Sequence, residues 1–187
     1  MVLSRFLLIV ALVAVSSGSV LFGEGKTPGV GDTAPDFSLQ SLGAETVRLS
    51  ALTKQGPVVL LVLRGFPGYQ CPICTRQVRD FMNHASEFSA AGAQVLMVYP
   101  GPSDDLQVRA GEFVQGKTLP GNFTLVIDPG YQFTNLYGLR WDAPRETAYP
   151  STFLIGSNGT VFYSLVSHSH GGRTKAADMI AKLAEHQ

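Results

Sequence analysis

Cysteine is scarce in this chain. Its 187 residues carry two, Cys71 and Cys74, which excludes a multi-bridge disulfide framework and leaves a local disulfide, a working redox couple or half of a metal site. A net charge of either sign is missing too: 14 Lys and Arg balance 14 Asp and Glu, so nothing points to nucleic acid, an acidic partner or a polybasic membrane contact. Repeats and low-complexity tracts are absent. The one long apolar run lies at the start, where Arg5 precedes Phe6 to Val15 and Ser16-Ser17-Gly18-Ser19 follows. Basic, apolar and small residues in that order are the layout of a secretory signal. The run falls short of the roughly 20 residues needed to cross a bilayer, so residues 1–19 read as a cleaved signal peptide, with an uncleaved anchor through residues 6–22 as the alternative. The expected location is exported, periplasmic or secreted.

What is present is the composition of one globular domain, 45% hydrophobic and 15% charged, able to bury a core without staples. Residues 20–31, with Gly, Pro, Lys and Thr, read as a mobile linker, and the folded domain is expected over residues 32–187. Alternation in Phe37-Ser38-Leu39-Gln40 and Val47-Arg48-Leu49-Ser50, on either side of Gly43, predicts an opening β-hairpin. Val58 to Leu63, Val95 to Val98 and Thr124 to Ile127 show no alternation, which suits strands buried on both faces of a mainly parallel sheet. Cys74, Val78, Phe81, Ala85 and Phe88 form one helical face ending at Gly92. Ser103 is a candidate cap for a helix carrying Leu106, Ala110 and Phe113. Asn158-Gly159 between two apolar runs predicts a second hairpin. A last helix from about Thr174 is expected to turn Ala177, Ile180, Leu183 and Ala184 inward. The order is an α/β sandwich with helices on both faces of the sheet.

Both cysteines fall in Phe66-Pro67-Gly68-Tyr69-Gln70-Cys71-Pro72-Ile73-Cys74-Thr75-Arg76-Gln77, where a buried strand hands over to an amphipathic helix. A thiolate is the nucleophile, and a free cysteine with a pKa of about 8.5 is mostly protonated at neutral pH. A helix N-terminus lowers that value through unpaired N–H groups and the positive end of the macrodipole. Pro72 suits the first turn, since its φ is fixed and it has no N–H to satisfy. The two-residue spacing lets the second sulfur resolve a mixed disulfide made by the first.

Here the chain resembles the thioredoxin superfamily, from Val30 to Leu183. Gly31-Asp32-Thr33-Ala34-Pro35-Asp36-Phe37 is similar to the opening of peroxiredoxins, the alkyl hydroperoxide reductase/thiol-specific antioxidant group. The peroxidatic pattern of that group, Pro, three residues, Thr or Ser, two residues, Cys, falls on Pro67, Cys71 and Cys74. Pro72 and Thr75 also resemble its bacterioferritin-comigratory branch. Two departures stand out: Cys71 occupies the Thr position, and Pro150 stands where an Arg is expected three residues before Phe153. In thioredoxins and their periplasmic membrane-anchored relatives, Cys-x-x-Cys occupies that place and a cis-proline before a strand lies against the disulfide. Ala148-Tyr149-Pro150-Ser151-Thr152-Phe153-Leu154-Ile155 resembles that strand, with Pro150 as the cis-proline.

The resemblance implies a thioredoxin-like α/β fold, a central mixed β-sheet with helices on both faces and an N-terminal β-hairpin, and no cofactor. It leaves two roles for the pair. In a thiol-disulfide oxidoreductase, Cys71 is the exposed attacking thiol, Cys74 the buried resolving one, Pro150 positions the substrate backbone, and the partner is a protein disulfide or dithiol. In a thiol peroxidase, Cys74 attacks a hydroperoxide, Cys71 closes the disulfide, and Arg64 or Arg76 replaces the missing arginine. Either needs a thiol reductant or other redox partner. A third resemblance, to the copper-chaperone branch, would bind metal through Cys71, Cys74 and His168. Trp141 is a candidate wall of the site. His168-Ser169-His170-Gly171-Gly172-Arg173 reads as loop chemistry, with Arg173 able to approach an anion.

Overall fold

The computed structural model describes residues 25–186; the signal-peptide segment and residues 20–24 lie outside them. Seven strands form one mixed sheet: β1 (Ser38–Ser41), β2 (Thr46–Arg48), β3 (Val58–Val62), β4 (Gln94–Gly101), β5 (Phe123–Pro129), β6 (Ser151–Ile155) and β7 (Val161–Val166). They run in the order β2-β1-β5-β4-β3-β6-β7. β3, β4 and β5 are parallel, while β1 and β6 join them antiparallel. The opening hairpin pairs Leu39 with Val47, and the closing one turns at Gly159, whose φ of 80° only glycine adopts without strain.

Every residue of β3 is buried, and its alternate side chains feed two cores. Val59 and Leu61, with Leu63 just after the strand, pack with α2 (Pro72–Asn83), α3 (Ala85–Ala90), α4 (Leu106–Val114) and α6 (Ala176–Glu185). Val58, Leu60 and Val62 pack on the other face with α1 (Leu49–Leu52) and α5 (Gln132–Leu136). A strand covered twice has no solvent face to mark with polar residues, which is why it reads as a continuous apolar run. It also places the end of β3, and so the cysteines, at the middle of the sheet.

Several expectations are corrected. The face from Cys74 to Phe88 belongs to two helices, broken at His84 (φ −110°, ψ 23°), whose Nδ1 lies 2.8 Å from Asp80 O. β2 stops at Arg48 because Leu49 to Leu52 form a helical turn, with Asp36 accepting from Ser50 N at 2.9 Å. The cap of α4 is Asp105, not Ser103. In α6 the buried residues are Ala176, Met179 and Leu183, while Ala177 and Ala184 are exposed. The described part of the expected linker is tied down: Gly25 N donates to Asn135 O at 2.9 Å and Gly31 N to Val161 O at 2.8 Å.

Candidate active site

The site begins where β3 ends. Gly65 has a φ of +66°, and a Cβ there would sit 1.8 Å from Pro100 O, so only glycine lets the chain turn past β4 towards α2. Phe66 N completes the turn on Pro100 O at 3.0 Å. Gln70 ties the next stretch down, accepting from Tyr99 Oη at 2.7 Å and donating to Arg109 O at 2.8 Å. Cys71 is the N-cap of α2, with extended backbone and Pro72 behind it in the first turn, and its sulfur accepts from Cys74 N at 3.4 Å. The thiol thus does what a Ser or Asp oxygen does in an ordinary cap.

Both cysteines are free thiols, and both are buried, 2% and 1% exposed. The exposed attacking thiol expected at Cys71 is therefore not found. The pair shares one negative charge unequally. A hydrogen bond from the Cys74 thiol pulls Cys71 down against the opposing effect of burial, helped by Cys74 N–H and by the charge of Arg173. That same hydrogen bond, then burial, pushes Cys74 well above the ordinary thiol value, with Arg173 and Arg64 N–H acting in the opposite sense. The bond between the two sulfurs and the N-cap N–H therefore both favour the anion on Cys71 over Cys74.

Arg64 reaches this pair through its backbone only. Its N–H donates to Cys74 Sγ at 3.3 Å. The guanidinium, 3% exposed, is committed elsewhere: Nε to Glu146 Oε2 at 2.6 Å, Nη2 to Arg145 O at 2.7 Å and Nη1 to the Tyr69 hydroxyl. Burial opposes ionisation of Glu146, but the bonds from Arg64 and His170 hold its pKa below the ordinary carboxylate value. The expectation that Arg64 polarises a peroxide is thus replaced by a structural ion pair. Arg76 is exposed on α2.

The cation that does reach sulfur is Arg173. Its Nη1 and Nη2 lie 3.6 and 3.7 Å from Cys74 Sγ, and Nη1 also donates to Gln77 Oε1 at 3.2 Å. Gln77 is buried and in turn donates to Thr174 O and Oγ1. The residues from 167 to 173 are held as a loop: Ser167 Oγ donates to Gly171 O at 2.5 Å, and Arg173 Nε to His170 O at 3.2 Å. His170 Nε2 lies 2.9 Å from Glu146 Oε1. Its ring packs on Trp141, which stacks on Tyr149 at 4.9 Å, and His168 packs on Tyr149 from the loop. Trp141 therefore braces this loop. The sequence offers Gln77 at the start of the redox helix as able to tune Cys74 and Arg173 as able to approach an anion, but not their meeting, because about a hundred positions separate the cysteines from the loop that reaches them; Glu146 carries no such signal.

Pro150 immediately precedes β6 and is buried, but its peptide bond is trans; the described residues contain no cis bond. Pro150 O accepts from Ser167 N at 2.9 Å, anchoring the start of the loop. Pro67 lines a cavity of about 430 Å³ with Phe66, Arg109, Tyr131 and Thr147, beside the cysteine loop but without either cysteine. Among the described residues no group of three His, Cys, Asp or Glu is arranged to hold a metal, so the copper set of Cys71, Cys74 and His168 is not assembled. No helix among them is long and apolar enough to cross a membrane.

A mixed sheet of this order, with a cysteine pair at the head of α2, is a thioredoxin-like α/β fold of the kind found in peroxiredoxin structures. More narrowly, residues 30–164 match the AhpC/TSA family model, and the chain belongs to that family. It is 32% identical over 133 residues to the chloroplastic peroxiredoxin Q of Oryza sativa subsp. japonica, a match covering 71% of this chain and 57% of the rice protein. It is also 32% identical to the thiol-disulfide oxidoreductase ResA of Geobacillus thermodenitrificans, over 83% of this chain and 79% of that one. Among solved structures, peroxidoxin BcpB of Mycobacterium tuberculosis superposes with a TM-score of 0.68 at 23% identity, covering 86% of this chain and 99% of that one, and so speaks for the fold.

Proposed function

We propose that the chain is a thiol-disulfide oxidoreductase working through the Cys71/Cys74 couple. The observation that carries this is the asymmetry of the pair. Cys71 is the N-cap of α2 and its sulfur takes the Cys74 N–H at 3.4 Å, which helps lower its pKa to about 5, while the bond between the sulfurs and burial push Cys74 up. The Cys71 thiolate attacks one sulfur of a substrate disulfide, and the other substrate sulfur leaves as a thiolate. Cys74 then loses its proton and attacks Cys71 Sγ, the mixed disulfide breaks, and the second substrate sulfur leaves. The enzyme ends as a Cys71–Cys74 disulfide, restored by an external dithiol reductant. Similarity to ResA supports this reading.

A second reading is favoured by a separate observation: the donors around the pair, Arg64 N–H and the Arg173 guanidinium, face Cys74 Sγ. In a thiol peroxidase the Cys74 thiolate attacks one peroxide oxygen, the O–O bond breaks, and the other oxygen leaves with a proton. Cys71 then displaces water from the Cys74 sulfenic acid to close the disulfide. A hydroperoxide, being small, also suits two sulfurs this deeply buried. Similarity to peroxiredoxin Q supports this reading.

Alkylation and turnover distinguish the two. In the oxidoreductase, iodoacetamide labels Cys71 with a half-maximal rate near pH 5 instead of about 8.5, because a depressed thiol stays ionised down to its own pKa. Insulin is reduced by wild type and not by Cys71→Ser, and stopped-flow mixing with hydrogen peroxide gives no fast phase. A fast phase lost only in Cys74→Ser, without insulin reduction, would instead establish the peroxidase. We also propose export through residues 1–19, on the apolar run and the small residues after it. The intact mass of protein recovered from its native cells should lack that segment, and retention of Met1 would refute cleavage.

A further inference from the structure

We propose that the cavity beside Phe66, Pro67 and Gly68 is where the couple binds its substrate, a small disulfide whose halves each carry an ammonium and a carboxylate. This substrate class rests on Cys71 and Cys74 being a thiol-disulfide couple. Among the described residues four that are not glycine have a positive φ, and three of them, Asp105 (57°), Tyr131 (66°) and Arg145 (63°), line this one cavity of about 430 Å³. The fourth, Ala44, lies in the tight turn of the opening hairpin, where its N–H donates to Ser41 O at 3.0 Å. A left-handed backbone is disfavoured for any residue with a Cβ. The three come from separate loops, before α4, before α5 and before β6, and Gly68, with a φ of 97°, adds a fourth loop. Three of these loops leave the carboxyl ends of the parallel strands β3, β4 and β5, the edge at which α/β proteins place ligands.

Helix capping does not offset this strain. Asp105 and Tyr131 precede α4 and α5, yet neither side chain caps its helix. Strain of this kind persists where the surrounding structure over-determines it, and it gathers at ligand clamps. The loops are held in place: Gly130 N donates to Gly101 O at 3.0 Å, and Arg145 O accepts from Arg64 Nη2 at 2.7 Å. What they present is unused charge. Among the described residues the carboxylates of Asp104 and Asp105 and the guanidinium of Arg145 have no hydrogen bond or ion pair, whereas Arg109 on the same cavity is already bonded to Glu112 at 2.9 Å. Two free carboxylates and one free guanidinium match an ammonium and a carboxylate on one small molecule, and Phe66, Pro67 and Leu106 give the apolar wall for the carbon and sulfur between them.

Size and position fit the same substrate. The volume lies at the lower end of the roughly 300–1,000 Å³ of small-molecule pockets. Gly68 is three residues from Cys71, at most about 11 Å of extended chain, and Gln70, next to Cys71, donates to the backbone oxygen of Arg109 at 2.8 Å. Cys71 and Cys74 are 2% and 1% exposed, which favours a small disulfide over one carried by a folded protein. The Cys71 thiolate attacks one sulfur of the bound disulfide, the S–S bond breaks, and one half leaves with the electron pair as a thiolate. Cys74 gives its proton to solvent and attacks Cys71 Sγ, the second half leaves in the same way, and the couple is left oxidised.

Binding is measured apart from chemistry in protein carrying Cys71→Ser and Cys74→Ser, by following backbone amide NMR shifts during titration with S-methylcysteine, whose sulfur is blocked. Saturable shifts are expected at Gly68, Asp105, Tyr131 and Arg145. The amine 2-(methylthio)ethylamine and the acid 3-(methylthio)propionate, each lacking one of the two charges, should bind about fivefold more weakly, the loss of one exposed ion pair. Arg145→Gln should abolish the advantage over the amine, and Asp104→Asn with Asp105→Asn the advantage over the acid. In protein that keeps both cysteines, Arg145→Gln should raise KM for cystine about fivefold and leave kcat unchanged. The site is overturned if no saturable shift appears in these loops, if the three compounds bind equally, or if KM for cystine is unchanged in Arg145→Gln. Protein that reduces neither insulin nor cystine while the shifts appear as expected would instead refute the redox reading, and the substrate class with it.

Discussion

Residues 63–77 and residues 167–173 both end on the Cys74 sulfur, and different forces bring them there. The first segment is the buried end of β3 and the start of α2, whose side chains fill the core between sheet and helices. The second is a loop between β7 and α6, held by hydrogen bonds and ring contacts rather than apolar burial. Each carries an arginine. Arg64 is consumed by the fold, its guanidinium neutralised by Glu146, whereas Arg173 is free to serve a sulfur. Burial favours an arginine that is fully paired; a site that must stabilise a changing charge needs one whose neighbours are neutral, as Gln77 is.

The largest effect expected from this contrast is on stability. Arg64→Gln leaves Glu146, whose side chain is 9% exposed, with the half-exposed His170 as its remaining partner, and should cost about 3 kcal/mol in urea unfolding of the reduced protein. Arg173→Gln, at the rim, should cost less than about 1 kcal/mol in the same experiment. Equal losses would mean that the two segments are one structural unit and would break the contrast. Arg64→Met together with Glu146→Gln should recover much of the loss, because the penalty lies in the under-paired charge and not in the missing bond.

The same contrast explains what the sequence reveals. The cysteine pair, the strand before it and the helix after it lie within about twenty-five consecutive positions, so hydrophobic period, Pro72 and spacing suffice to place them. α2 and α3 share one apolar stripe, and its continuity hides the break at His84: the stripe reports which side is buried, not whether the helix is unbroken. Burial of Cys71 in the core and the anchoring of Ser167 N on Pro150 O are tertiary properties, and resemblance supplies expectations there that the structure corrects. Arg173 is the extreme case. It reads as able to approach an anion, but which anion is not legible, since its partners Gln77 and Cys74 each lie about a hundred positions earlier. The two glycines before it were the available signal, a loop made to adopt an unusual backbone.

Gly172 offers the finest probe of the loop. Its φ is +65°, and a Cβ there would lie 3.0 Å from Ser167 Oγ, the group that closes the loop on Gly171 O. Gly172→Ala therefore meets a left-handed backbone costing an L-residue about 1–2 kcal/mol, together with a contact the serine must yield to. In the first segment such a cost would fall on the whole fold, because Gly65 is wedged against the backbone of β4. In the loop, the hydroxyl of Ser167 can turn away and residues 171–173 can shift, so the strain is relieved by moving Arg173. Global stability should fall by about 1 kcal/mol or less, while labelling of Cys74 in the Cys71→Ser background slows to a rate between that background and Arg173→Gln. A variant that loses several kcal/mol yet labels at the background rate would show that the loop carries the fold and not the sulfur.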